Sequence, residues 1–170
     1  MTCVLFCMSC SKNQDVQPEP IPEIDEKNLT ECPGGSSCSF WYNDFTTGYN
    51  SYFAAPNANY RMFFAQHMIT DGQITTTLSI QAPKQDKSFT LSEQNIKDGR
   101  VVVQTGCPAC YSIPFKLVGG YVKGINLSPR VTRPSGANKW LLEVKIIREM
   151  QTSPVTRDSI FVKQYFYPMY

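Results

Sequence analysis

Hydrophobic and polar residues alternate along much of the chain after residue 32, with the two-residue period of a β-strand. The clearest case is residues 73–82, where Ile74, Thr76, Leu78 and Ile80 share one face. Polar side chains occupy the other face, and β-branched residues, which favour strands, are frequent throughout. We therefore predict a strand here that buries one of its faces.

Similar patterns predict the rest of the secondary structure. Residues 60–69 fit either a strand or a helix, and residues 90–97 favour at most one helical turn. The last strand is apolar in places on both faces, which predicts a position inside the sheet. Asp71 with Gly72, and Gly119 with Gly120, are interpreted as turns. The other predicted strands are residues 39–45, 100–104, 115–118, 121–123, 139–149 and 158–168.

Seven or eight short strands with almost no helix predict an all-β domain. We expect an antiparallel sheet arranged as an immunoglobulin-like β-sandwich or as a partly open barrel. The 170 residues suit one domain and a tail. The predicted domain comprises residues 32–170.

The N-terminus has a different pattern. Residues 3–8 are apolar, Ser9 is small, Cys10 follows, and the chain then becomes polar. This order resembles the signal of a small Gram-negative envelope lipoprotein, although Cys7 stands where an aliphatic residue is usual. The resemblance implies a residual signal peptide at residues 1–9 and a lipid on Cys10. It also implies attachment to the bacterial envelope, at the outer membrane, with the periplasmic or surface face left open. A short buried strand and a cytosolic N-terminus with reduced thiols are the alternatives.

The segment after Cys10 is acidic and rich in proline. Residues 11–31 carry a net charge of −4, from two lysines and six acidic residues. Such a composition favours an extended, unfolded chain, so residues 10–31 are predicted to be a disordered tether. The rest of the chain carries a net charge of +6, from 14 basic and 8 acidic residues. Its basic residues are scattered, which gives no indication of nucleic-acid binding.

Four cysteines belong to the predicted domain: Cys32, Cys38, Cys107 and Cys110. In an exported protein they predict two disulfides, either within each short motif or crossed between the motifs. The Cys-Pro-Ala-Cys motif also resembles the redox motif of thioredoxin-fold proteins, which gives an alternative function in thiol–disulfide exchange at Cys107 and Cys110. That chemistry depends on a helix N-terminus, whereas the residues after the motif favour strands. A third hypothesis is a zinc-stabilised intracellular domain, since the motif is similar to one knuckle of a zinc ribbon.

Other chemistry receives little support. His67 is the one histidine, and its apolar surroundings favour a structural role over that of a general base. We predict no cofactor, no metal and no catalytic residue. The remaining candidates are clustered aromatic residues, which can bind a glycan or an envelope protein when exposed, or pack in the core. They are Trp41, Tyr42, Tyr49 and Tyr52. The sequence thus predicts a non-catalytic binding or structural module.

Overall fold

The computed structural model describes residues 22–44, 60–69, 71, 74–84, 87–107, 114–129 and 138–169. Eight strands form one sheet that curls into an open half-barrel. This confirms the all-β prediction, and of the two expected architectures it is the partly open barrel. The strands are β1 (Ser36–Asn43), β2 (Tyr60–Ile69), β3 (Ile74–Pro83), β4 (Ser88–Leu91), β5 (Val101–Gly106), β6 (Phe115–Asn126), β7 (Trp140–Met150) and β8 (Arg157–Pro168).

The strand order in the sheet is β4-β6-β7-β8-β1-β2-β3-β5. All neighbours are antiparallel except β1 and β8, which pair in parallel where Trp41 meets Tyr167 and Tyr42 meets Pro168. The expectation of a purely antiparallel sheet is therefore wrong at this one junction. The last strand lies inside the sheet, as predicted, between β7 and β1.

The predicted turn at Gly119 and Gly120 is wrong, because both glycines lie within strand β6. The strand runs through both glycines, and its register with β7 shifts between Leu117 and Gly119, where a β-bulge lies. Gly120 has a φ of 120°, and a Cβ there would lie 1.9 Å from the carbonyl oxygen of Lys145. The glycines therefore let a continuous strand bend and approach its neighbour closely, as bulges and glycines do in curved sheets.

The chain between β4 and β5 forms helix α1 (Glu93–Asn95), followed by a π-helical turn (Ile96–Arg100). Ser92 caps α1 in a reciprocal arrangement with Asn95, each side chain binding the other residue's backbone N–H. The helical turn predicted within residues 90–97 is present from Glu93 onward, whereas Thr90 and Leu91 belong to β4. Strand β4 was not predicted, because its four residues are too few to show a period.

An aromatic cluster fills the half-barrel near Phe63, which is completely buried. The ring of Phe63 lies 5.4 Å from Phe89, 5.6 Å from Trp140 and 5.7 Å from Phe166, measured between centroids. Tyr42 contacts the same ring at 5.6 Å. These residues come from five different strands, so the cluster joins both halves of the sheet into one core.

The turn after α1 covers the gap between the two edge strands, β4 and β5. Ile96 is 1% exposed and belongs to the same core. Its turn contacts β6 on one side of the gap and both β3 and β5 on the other. The curled sheet therefore encloses its core without joining its edges.

A buried cation packs against the aromatic cluster. The guanidinium of Arg61 lies 4.7 Å from the centre of the Trp140 ring and 5.2 Å from that of Tyr42. Its Nε and NH2 groups donate hydrogen bonds to the carboxylate of Asp44. The carboxylate and the two ring faces together offset part of the cost of burying this charge, since NH1 is buried without a hydrogen-bond partner among the described residues.

We expect Gly124→Ala to destabilise the protein, because a Cβ at Gly124 would lie 2.3 Å from the buried ring of Phe89. The expected loss in the free energy of unfolding is about 1–3 kcal/mol, as for other overpacked cores, measured by urea denaturation. Gly34→Ala is the matched control, since a Cβ there meets no atom within 4 Å. Equal stability of the two variants would contradict the close packing of Phe89 on β6.

Candidate ligand-binding cavity

The site begins where β1 and β8 separate. The two strands pair at two positions, Trp41 with Tyr167 and Tyr42 with Pro168. Nearer the start of β8, the backbone of Lys163 bonds to Thr30 instead. The N–H of Thr30 donates to the carbonyl of Lys163 at 2.8 Å, and the N–H of Lys163 donates to the Thr30 hydroxyl at 2.8 Å. The segment that precedes β1 therefore satisfies the backbone groups that β1 leaves open.

A cavity of about 320 Å³ lies in this separation, on the concave side of the sheet. That volume is at the lower end of the range for small-molecule sites, which is about 300–1,000 Å³. Its walls come from β1, β2, β3, β7 and β8, and from residues 30–33 before β1. The cavity is thus built by segments that are distant in the sequence.

The inner part of the cavity is apolar. Phe40, Ala65 and Leu78 form one row across β1, β2 and β3, next to the aromatic core. Ile160 and Val162 of β8 contribute to the same lining. The ring of Phe40 packs edge-on against Phe166 at 5.6 Å, so the cavity floor is continuous with the core.

The next row towards the open end is polar. Cys38, His67 and Thr76 lie side by side on the same three strands. The Nε2 atom of His67 is buried and has no hydrogen-bond partner in the described part of the structure. A buried ring nitrogen without a partner is costly, and such exceptions occur at sites that bind a further group. The prediction of a purely structural histidine stays untested, but the structure places His67 in the cavity wall.

Arg148 is the cation in the cavity wall, and its charge is already balanced. Its Nε donates to Oδ1 of Asp158 at 2.8 Å, its NH2 donates to Oδ2, and its guanidinium lies 4.5 Å from the centre of the Phe115 ring. The hydrogen bond from Arg148 lowers the pKa of Asp158 below its ordinary value of 3.8. Asp158 is therefore ionised at neutral pH, and Arg148 has a bidentate counter-ion.

Residues 25–31, which we call the strap, pass over β8 and end in the cavity wall. Besides the contacts of Thr30, the ammonium of Lys163 donates to Asp25 at 2.8 Å, and the Tyr165 hydroxyl donates to Glu26. The amide of Gln164 donates to the carbonyl of Thr30 at 3.1 Å. This part of the predicted tether is therefore docked on the domain, while residues 10–21, including Cys10, lie outside the described residues.

The strap is fixed at its end by a disulfide between Cys32 and Cys38, whose Cα atoms are 5.7 Å apart. Because these two cysteines bond to each other, the crossed pairing of the two motifs is excluded. The bond also occupies both sulfurs, which leaves neither as a thiolate ligand for zinc. Cys107, at the end of β5, is disulfide-bonded as well, and Cys110 lies outside the described residues.

The predicted binding aromatics are separated by the pleat of β1. Tyr42 is 6% exposed and lies in the core, so its ring is not available at the surface. Trp41 points to the convex face, where it stacks on Phe64 at 5.4 Å and lies beside Tyr167 on β8. Tyr49 and Tyr52 lie outside the described residues.

Neither the cavity nor the strap is evident from the sequence. The cavity residues Phe40, Ala65 and Leu78 had no signal beyond ordinary strand patterning. For the strap, proline and acidic residues indicated an unfolded chain, whereas its order comes from specific partners on β8. Lys163 could have indicated the docking of the strap, because a lysine on an interior strand needs a carboxylate nearby.

The described ranges contain no group of three histidine, cysteine, aspartate or glutamate side chains that could hold a metal ion. No helix among the residues that the structure describes is long and apolar enough to cross a bilayer.

We expect acid to release the strap. The hydrogen bond from Lys163 lowers the pKa of Asp25, so the ionised carboxylate stabilises docking above its ordinary pKa of 3.8, and this contribution is lost as the pH falls through the lowered value. Asp25→Asn should therefore raise the rate of hydrogen exchange at the Thr30 amide severalfold at neutral pH. It should also reduce the change in the chemical shift of that amide between about pH 5 and pH 2. NMR measures both quantities.

The control for this prediction is Asp71→Asn, which removes an exposed carboxylate between β2 and β3. It should leave the exchange rate and the pH profile of Thr30 as in the wild type. A wild-type profile in Asp25→Asn would mean that Asp25 does not hold the strap.

No family model matches the sequence, and neither a curated protein nor a solved structure matches it.

Proposed function

We propose that the protein is a non-catalytic binding module of the bacterial cell envelope, held by a lipid on Cys10, that binds a small, mainly apolar molecule. The observation that carries the proposal is the cavity of about 320 Å³ between β1 and β8. An apolar lining with a few converging polar groups is the usual composition of a small-molecule site.

The lipid anchor is supported by the pattern of residues 3–10 and by the layout of the chain behind it. An acidic, proline-rich segment separates Cys10 from the strap. Three acyl chains, as bacterial lipoproteins carry, would hold the protein firmly, because one chain alone gives marginal membrane binding. In this arrangement the tether leads directly into one wall of the cavity.

The alternatives have weaker support. Thiol–disulfide exchange at Cys107 and Cys110 fits the oxidised state of Cys107, but so does a structural disulfide. Zinc binding would require thiolates, and Cys32 and Cys38 are bonded to each other. On the convex face, Trp41, Phe64 and Tyr167 form an aromatic row that supports a glycan or envelope protein as a second class of partner.

We expect the uncharged dye N-phenyl-1-naphthylamine to bind the wild-type protein with a rise in fluorescence. Ala65→Phe should reduce the affinity at least tenfold, because the ring fills the floor of the cavity. Ile160→Trp should do the same from the side of β8, and Ser39→Phe adds similar bulk at an exposed position as the control. Unchanged dye binding in both filling variants would contradict binding in the cavity.

We expect the protein extracted from its native cells to begin at Cys10 and to carry acyl mass, as measured by intact mass spectrometry. Cys10→Ser should abolish the added mass, whereas Cys7→Ser, its matched control, should retain it. An unacylated wild-type chain beginning at Met1 would refute the lipid anchor.

A further inference from the structure

Resting on the proposed function, we infer that the ligand is an uncharged amphipathic molecule, with an apolar body and a single hydroxyl or carbonyl group. Such a ligand would match the charges and polar groups that line the cavity, with His67 and Thr76 receiving its polar group.

Charge balance argues against an ionised ligand. Among the described lining residues, the charged ones are Arg148 and Glu31. Arg148 is already paired with both oxygens of Asp158, and Glu31 lies at the exposed rim, where water solvates it. An ionised head group would therefore lose part of its hydration without gaining an unpaired counter-charge, which is unfavourable.

Hydrogen-bonding groups, in contrast, are present at the polar row. The buried Nε2 of His67 has no partner among the described residues, and the hydroxyl of Thr76 beside it can donate or accept a hydrogen bond. One hydroxyl or carbonyl of a ligand would satisfy one such group. Burial of a polar group is tolerable once it is hydrogen-bonded.

The apolar row fixes the orientation of the ligand. Phe40, Ala65 and Leu78 lie between the aromatic core and the polar row, so the apolar body would occupy the inner part of the cavity. The polar group would then lie beside His67 and Thr76, towards the open end. The limited volume favours a compact body such as a medium-length alkyl chain or one or two rings.

Three probes with the same alkyl chain test this: octan-1-ol, octanoate and octylammonium, each used at neutral pH to displace N-phenyl-1-naphthylamine. We expect octan-1-ol to displace the dye at a concentration at least tenfold lower than either ion. Equal or stronger displacement by either ion would overturn the inference.

Two conservative variants test the role of the polar row. Thr76→Val keeps the shape but removes the hydroxyl, and His67→Phe keeps a ring but removes both nitrogens. At least one of these variants should lower the affinity for octan-1-ol severalfold, while its affinity for the dye stays within twofold of the wild-type value. If both bind octan-1-ol like the wild type, the polar row does not receive the head group.

Failure of the proposed function has a different signature. If the dye does not bind, or if Ala65→Phe and Ile160→Trp leave its binding unchanged, the cavity is not a binding site. If the dye binds there but an ion displaces it best, the binding function stands and only the ligand class is wrong.

Discussion

The site depends on the incomplete pairing of β1 with β8. β1 is held along its whole length by β2, and β8 is held along most of its length by β7, so the two strands meet in parallel over only two residue pairs. Nearer the start of β8, β1 no longer pairs with it, and the backbone N–H and carbonyl of Lys163 must find other partners. Thr30 supplies them, and the chain then turns into β1. The space left between the diverging strands is the cavity.

The two ends of the half-barrel differ in how they are filled. At one end five aromatic rings pack together, and Arg61 lies over two of them with its charge matched by Asp44. At the other end the inner face carries smaller side chains, and the cavity remains. There too the cation is neutralised, since Asp158 holds Arg148. Arg61 and Arg148 are therefore both paired with carboxylates, which is the basis for proposing an uncharged ligand.

The proposed anchor and the cavity are linked by continuous chain. From Cys10 the tether leads to the strap, the strap docks on β8, and the disulfide between Cys32 and Cys38 fixes its end at β1. Docking relies on Lys163, whose side chain is 8% exposed and whose ammonium needs the Asp25 carboxylate. The tether is thus connected to the cavity wall through the contacts of Asp25 and Thr30 with Lys163.

The sequence by itself determined the all-β class, most of the strands, the single helical turn and the interior position of β8, because alternation within one segment already reports which face is buried. It could not separate a sandwich from a half-barrel, nor reveal that Gly119 and Gly120 lie within one strand, since a glycine pair permits both a turn and a bulge. Only the tertiary structure decided the parallel contact of β1 with β8, the docking of the strap and the cavity beside His67. Each of these depends on pairs more than a hundred residues apart, such as Thr30 with Lys163, and no local pattern encodes which distant backbone groups will be left without partners.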